Sequence, residues 1–240
     1  MKFNKYLLIL AFITFSPKFC ISQNQNKQGI ATYEFQYHLT KQEIKSYKNM
    51  DNNRFRLLDK PINWVFKLKF DDSLGLSYLD SLHHKKDLLN NSFTFTVNNE
   101  TRFINTNDNT FSYNYTNLDS EKIIVKGDIR PDNWKISNET KTIKGYKVVK
   151  ATGYLQSSAN RKNKKVTAWF APNIPVKLGP VSFGNLPGLI LELWIGDDFS
   201  YNLTDIVFKD DVQIPSLKGK YQIEEKEFKE NYTITTEYRN

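Results

Sequence analysis

The chain has 240 residues, with 34 basic against 26 acidic side chains, a formal charge of +8 and a single cysteine. One cysteine excludes an internal disulfide framework and a paired-cysteine zinc site, and no apolar run approaches the ~20 residues of a membrane-spanning helix. A chain this long buries roughly 70% of its unfolded surface on folding, so one unstapled domain is sufficient.

Lys2 and Lys5 precede a short apolar run from Tyr6 to Phe15, and small residues follow around Ser22. This is the layout of a secretory signal peptide over residues 1–22, which leaves 23–240 as the mature domain. Phe19 stands where a lipoprotein signal needs a small residue before Cys20, so processing after Ser22 is expected and the mature chain carries no cysteine. Removing Lys2, Lys5 and Lys18 reduces 34 basic residues to 31 against 26 acidic ones. So mild an excess, spread along strands, marks no nucleic-acid surface, although it favours anionic headgroups or cell-surface glycans if it favours anything.

From Ile30 the sequence alternates with a period of two. Tyr33, Phe35, Tyr37 and Leu39 share one strand face, with Thr32, Glu34, Gln36 and His38 on the other. Trp64, Phe66, Leu68 and Phe70 repeat the pattern with Lys67 and Lys69 opposite. Leu74, Leu76 and Tyr78 follow, then Phe93, Phe95 and Val97, then Phe111, Tyr113 and Tyr115, then Ile123 and Val125, then Tyr146 to Leu155. Turn clusters at 71–73, 98–100, 105–109, 126–128 and 144–145 are short enough to join antiparallel neighbours. Short helices are expected at Leu79 to Asn90 and Ile223 to Tyr232. The predicted fold is mainly β: one domain with a strongly curved or closed antiparallel sheet, a barrel or half-barrel, and one or two short helices.

The stretch from Lys165 to Trp194 organises the rest. Val166, Ala168 and Phe170 begin a strand, and Pro172 and Pro175 end it, because each lacks an N–H and holds its predecessor extended. Ala171 to Pro187 is therefore an ordered loop, and loops of that length in compact domains are usually functional. Trp169, Phe170, Pro172, Pro175, Gly179, Pro180 and Phe183 are its candidate binding residues, placed to cover the mouth of a cavity lined by aromatic strand faces. Leu189 to Ile195 then reads as a strand covered on both faces.

Asn185, Leu186, Pro187, Gly188, Leu189 and Ile190 resemble the motif GLPGLI, for which a family of exported Bacteroidetes proteins is named, with Asn185 in place of the first glycine. Trp134-Lys-Ile, Gly145-Tyr146, Thr167-Ala-Trp-Phe, Ile174-Pro175 and Gly179-Pro180 are similar to that family's other blocks, in the same order. Asn tolerates a left-handed backbone, so the turn is expected to survive the exchange. Val148 stands where many members carry a cysteine, which removes any thiol role. The resemblance implies no catalytic residue and no cofactor, and it implies location in the periplasm or cell envelope, or secretion.

Chemistry-bearing residues are few. His83 and His84 are adjacent and His38 is remote; neighbouring side chains diverge on helix or strand, so no metal site is expected from them. Glu192 inside an apolar strand would be costly to bury unpaired, which makes Glu192 with Asp205 the speculative polar site of an envelope hydrolase. The chain instead reads first as a non-enzymatic binding module for an apolar small molecule or lipid, or for an outer-membrane or envelope protein, and not as an integral membrane protein. Hydrolase and metal-binding protein are the alternatives.

Overall fold

In the computed structural model the described residues are 27–38, 64–80, 101–117, 120–155 and 163–230. The expected signal peptide, the Phe93 to Val97 strand, His83, His84 and nearly all of the helix expected from Leu79 lie outside them. The described chain forms β1 (Gly29–Tyr37), β2 (Trp64–Phe70), β3 (Leu74–Leu79), β4 (Arg102–Asn105), β5 (Thr110–Thr116) and β6 (Lys122–Asp128). There follow β7 (Lys135–Ile143), β8 (Tyr146–Leu155), β9 (Lys164–Ala171), β10 (Leu189–Ile195), β11 (Phe199–Phe208) and β12 (Gln222–Glu224). They make one twelve-stranded sheet in the order β12-β6-β5-β4-β3-β2-β1-β11-β10-β9-β8-β7. It is curled but not closed, because β12 and β7 at its two ends do not meet.

Short turns join the antiparallel pairs β2–β3, β4–β5, β5–β6, β7–β8 and β10–β11, and all the other pairs but one are antiparallel too. At Lys144-Gly145 both residues take positive φ, 49° and 84°, which matches the twist of the flanking strands β7 and β8. The exception to the expected all-antiparallel sheet is β12, which runs parallel to β6. The long connection from β11 to β12, unlike a hairpin, leaves strand direction free. Residues 225–230 form a helix, α1, so the helix expected from Ile223 starts later, with Ile223 and Glu224 taken into β12. The 126–128 segment, expected as a turn, instead lies within β6, with Gly127 opposite Phe111.

The alternation read from β1 and β2 is the alternation of the core. Ala31, Tyr33 and Phe35 are buried with Trp64, Phe66, Leu68 and Phe70, while Thr32, Glu34, Lys67 and Lys69 lie on the other face. On β3 the expectation is inverted. Leu68 pairs with Ser77 and Phe70 with Gly75, so the two small residues occupy the core face and Leu74, Leu76 and Tyr78 the opposite one. The small residues leave room for a side chain from elsewhere: Leu178 of the long loop comes within van der Waals reach of any Cβ placed at Gly75. In β10 a bulge places Leu191 between the pairs Ile190–Phe170 and Glu192–Trp169. Leu189, Ile190, Leu191 and Leu193 are buried, but Glu192, Trp194 and Ile195 only half so; the strand is covered on both faces only at its start.

The Tyr33 hydroxyl donates to the Ile190 carbonyl at 2.8 Å across the core. Burial pushes its pKa up from the ordinary tyrosine value. A raised folded-state pKa makes this contribution complete below about pH 10 and progressively lost above it, since the unfolded phenol ionises first. Tyr33→Phe is expected to cost about 1–2 kcal/mol at neutral pH by orphaning that carbonyl, and to flatten the alkaline fall in stability. Denaturant melts of parent and variant at neutral and at about pH 11 check both effects.

Candidate functional site

The loop between β9 and β10 is a filling, not a cover. Its own alternation turns Ile174, Val176 and Leu178 inward, with Phe183 and Leu186 also buried, while Pro172, Pro175, Lys177 and Pro187 face out. Leu189 N–H donates to the Ile174 carbonyl at 3.0 Å and Ile190 N–H to that of Leu178 at 2.9 Å, so loop and strand form one ladder. Val181 N–H donates to Ser77 Oγ at 3.0 Å, which ties the loop to β3. Among the candidate binding residues, Phe170, Gly179, Pro180 and Phe183 are buried in this packing, and Pro172 and Pro175 remain exposed. Trp169 is half-buried, with the Lys141 ammonium 4.4 Å and the Lys150 ammonium 5.8 Å from its ring centre.

The six-residue motif is built into that ladder. Leu186, Leu189 and Ile190 are buried, and Asn185 has the left-handed φ of 65° expected of it. Its amide N–H donates to Lys177 O at 3.0 Å, and its side chain donates to Asn109, itself left-handed at 57° in the β4–β5 turn. Asn185→Gly relieves a left-handed side-chain residue but gives up an exposed side-chain hydrogen bond, each worth about 1 kcal/mol. A melt within a few degrees of the parent is the expected result.

Glu192 is paired, and Lys141 is its partner. Its carboxylate accepts from Lys141 Nζ at 2.6 Å and from Trp194 Nε1 at 2.8 Å. An engaged carboxylate is not a free general base, so the cost that motivated a catalytic Glu192 is already met. Asp205 sits opposite Thr32 on β11, three residues beyond Asn202, the cross-strand partner of Glu192. His38 stacks on Trp194 with ring centres 4.9 Å apart and shares a 3.0 Å hydrogen bond with Ser200 Oγ. Among the described residues no three His, Cys, Asp or Glu side chains are grouped to hold a metal, and no helix is long and apolar enough to cross a membrane.

The structure draws attention to a place that sequence reasoning missed. The end of β6 and residues 129–132, the end of β8, and β12 with α1 enclose a cleft of about 440 Å3. Its cations are Lys126, Arg130, Lys226 and Lys229. Its carboxylates are Asp128, Asp132, Glu224 and Glu225. Glu225 is the pivot: it pairs with Arg130 and, at 3.2 Å, with Lys229, and its side chain is only 12% exposed. The Arg130 pair and the Phe228 ring, edge-on to Tyr113 and Tyr115, seat α1 on the sheet, while the Lys229 pair lies within the helix. Arg102 lies 3.9 Å over the Tyr113 ring, and Arg130 5.4 Å over that of Phe111. Burial first, and the neighbouring Arg102 second, lower the Arg130 pKa from its ordinary value; Lys229 is lowered by burial and by both guanidiniums. No local pattern announces this cleft, because its charges come from two stretches, 126–132 and 224–229, that are far apart in the chain. The nearest signal in the sequence is the dense run of charge in 224–230.

With this geometry in hand the relatives can be placed. A family model described as N-glycanase peptide, N-terminal domain, matches residues 82–228. Two solved structures of PNGF-II, in the P21 and C2 space groups, are similar in fold, with TM-scores of 0.54 and 0.52. They are 18% and 16% identical over 85% and 84% of this chain, which covers 33% and 32% of theirs. The chain thus spans about a third of the length of the solved structures it matches. No curated protein sequence matches it.

Proposed function

The chain belongs to the family of N-glycanase N-terminal domains, and from that membership we propose that it is an exported accessory domain that binds N-glycosylated protein and leaves glycan cleavage to a separate catalytic unit. The observation that carries this reading is the extent of the match: an N-terminal domain, 82–228, and about a third of each solved relative. The side chains agree with it. Glu192 is engaged by Lys141 and Trp194, and the described cleft is lined by charged side chains of both signs, suited to hydroxyl-rich material. The GLPGLI-like block and the signal peptide expected over 1–22 support a place in the periplasm or envelope, or outside the cell. An apolar small molecule or lipid is less well supported, because loop side chains fill the space that the aromatic strand faces enclose.

The test compares capture of one glycoprotein before and after its N-glycans are removed, and assays glycan release by the purified chain alone. Preferential capture of the glycosylated form without release is the expected result. Release by the chain itself would make it an enzyme, and equal capture of both forms would remove glycans from the reading.

A further inference from the structure

We propose that the cleft between residues 126–132 and the β12–α1 segment is a carbohydrate-binding site for a neutral, polyhydroxylated glycan. The proposal rests on the accessory-domain reading and adds to it a place and a ligand class. Four cations and four carboxylates line the cleft, so its net charge is close to zero and it holds no surplus field for an acidic group. Such a wall suits hydroxyls, each of which donates to a carboxylate and accepts from an ammonium or guanidinium at once. A volume of about 440 Å3 falls within the range of small-ligand sites and admits a short oligosaccharide. Tyr154 lines the cleft and stays 46% exposed, which leaves an aromatic side chain at the rim for the apolar face of a sugar ring.

The site is also held ready. Glu225 is held by Arg130 across the cleft and by Lys229 one turn along its own helix, and a Cβ at Gly127 would stand 3.1 Å from Glu225 Oε2 and 3.0 Å from the Phe111 ring. The bare glycine lets α1 settle close to β6, and the clamp keeps the width of the cleft constant, which reduces the ordering cost of binding. Asp132 and Lys226 are exposed on its opposite walls and take no part in the clamp.

The experiment is calorimetric titration of the full chain with a neutral N-glycan oligosaccharide and with its sialylated counterpart, on the parent, Asp132→Ala and Lys226→Ala, with a thermal melt of each. The parent is expected to bind both sugars with affinities within about threefold, and each variant to lose about tenfold with an unchanged melt. If a variant melts lower, Asp132→Asn and Lys226→Gln replace it and the same loss is expected. Unchanged affinity in both variants would overturn the cleft while leaving glycoprotein capture, and the accessory-domain reading, standing. A tenfold preference for the sialylated sugar would overturn the neutral class. Binding of neither sugar, with capture of glycoprotein retained, would overturn the proposal alone; loss of both would overturn the functional reading as well.

Discussion

Gly188→Val is expected to lower stability by roughly 3–5 kcal/mol, one of the largest effects of any single exchange in this chain. A Cβ at Gly188 would stand 2.2 Å from the Ala171 carbonyl oxygen, 2.6 Å from its carbon and 3.0 Å from Pro172 Cα. All three are backbone atoms, so no rotamer change relieves the contact. The backbone must part where Ala171 pairs with Leu189, at the start of the β9–β10 ladder. A φ of 158° adds to the strain for a β-branched residue. At about 2–4 °C per kcal/mol for a domain of this size, the melt should fall by about 6–20 °C. A variant that melts like the parent but no longer captures glycoprotein would make the motif a binding site instead of a structural one.

Leu178→Ala should cost about 3 kcal/mol, within the lower half of the range for a fully enclosed leucine. Leu178 has no exposed surface, faces Gly75 and Leu68 on the core side of the sheet, and holds the Ile190 N–H through its own carbonyl. Truncation leaves a cavity that the loop cannot easily close, because its backbone is tied at Ile174, Lys177 and Leu178 by the Leu189, Asn185 and Ile190 amides, and beyond them Val181 N–H is tied to Ser77. A thermal or denaturant melt reads the effect directly. A loop acting as a movable cover would give the opposite result: a melt within about a degree of the parent and a changed binding rate.

That 171–187 is an ordered loop follows from Pro172 and Pro175, whose effect is local and independent of what surrounds them. The burial of the loop is written in its alternating Ile174, Val176 and Leu178, although Pro172 and Pro175 keep the segment from reading as a strand. The left-handed turn at Asn185 was legible for the same local reason, whereas its bond to Asn109 was not. That contact joins residues 76 apart, and no local preference encodes it.

Strand by strand the limit is similar. β1 and β2 alternate cleanly because one face is in the core and the other outside it. β4 has four residues, and β7, paired only with β8, exposes most of both faces, so neither needs a marked apolar period. Gly75 and Ser77 inverted the expected faces of β3: space for Leu178, not hydrophobicity, set the side chains there.

By itself, then, the sequence determined the mainly β class, the turn at Lys144-Gly145, the two-faced strands β1 and β2 and the conformation of the loop and its motif. These depend on φ preferences and on the two-residue period, which act within a few residues. Only the tertiary structure decided that the sheet stays open, that β12 joins it in parallel, that the loop is a filling, that Glu192 is matched by Lys141, and that Arg130, Glu225 and Lys229 build a cleft. Each of those is a meeting of residues distant in the chain, and its energy comes from burial and charge pairing that exist only once the strands have been brought together.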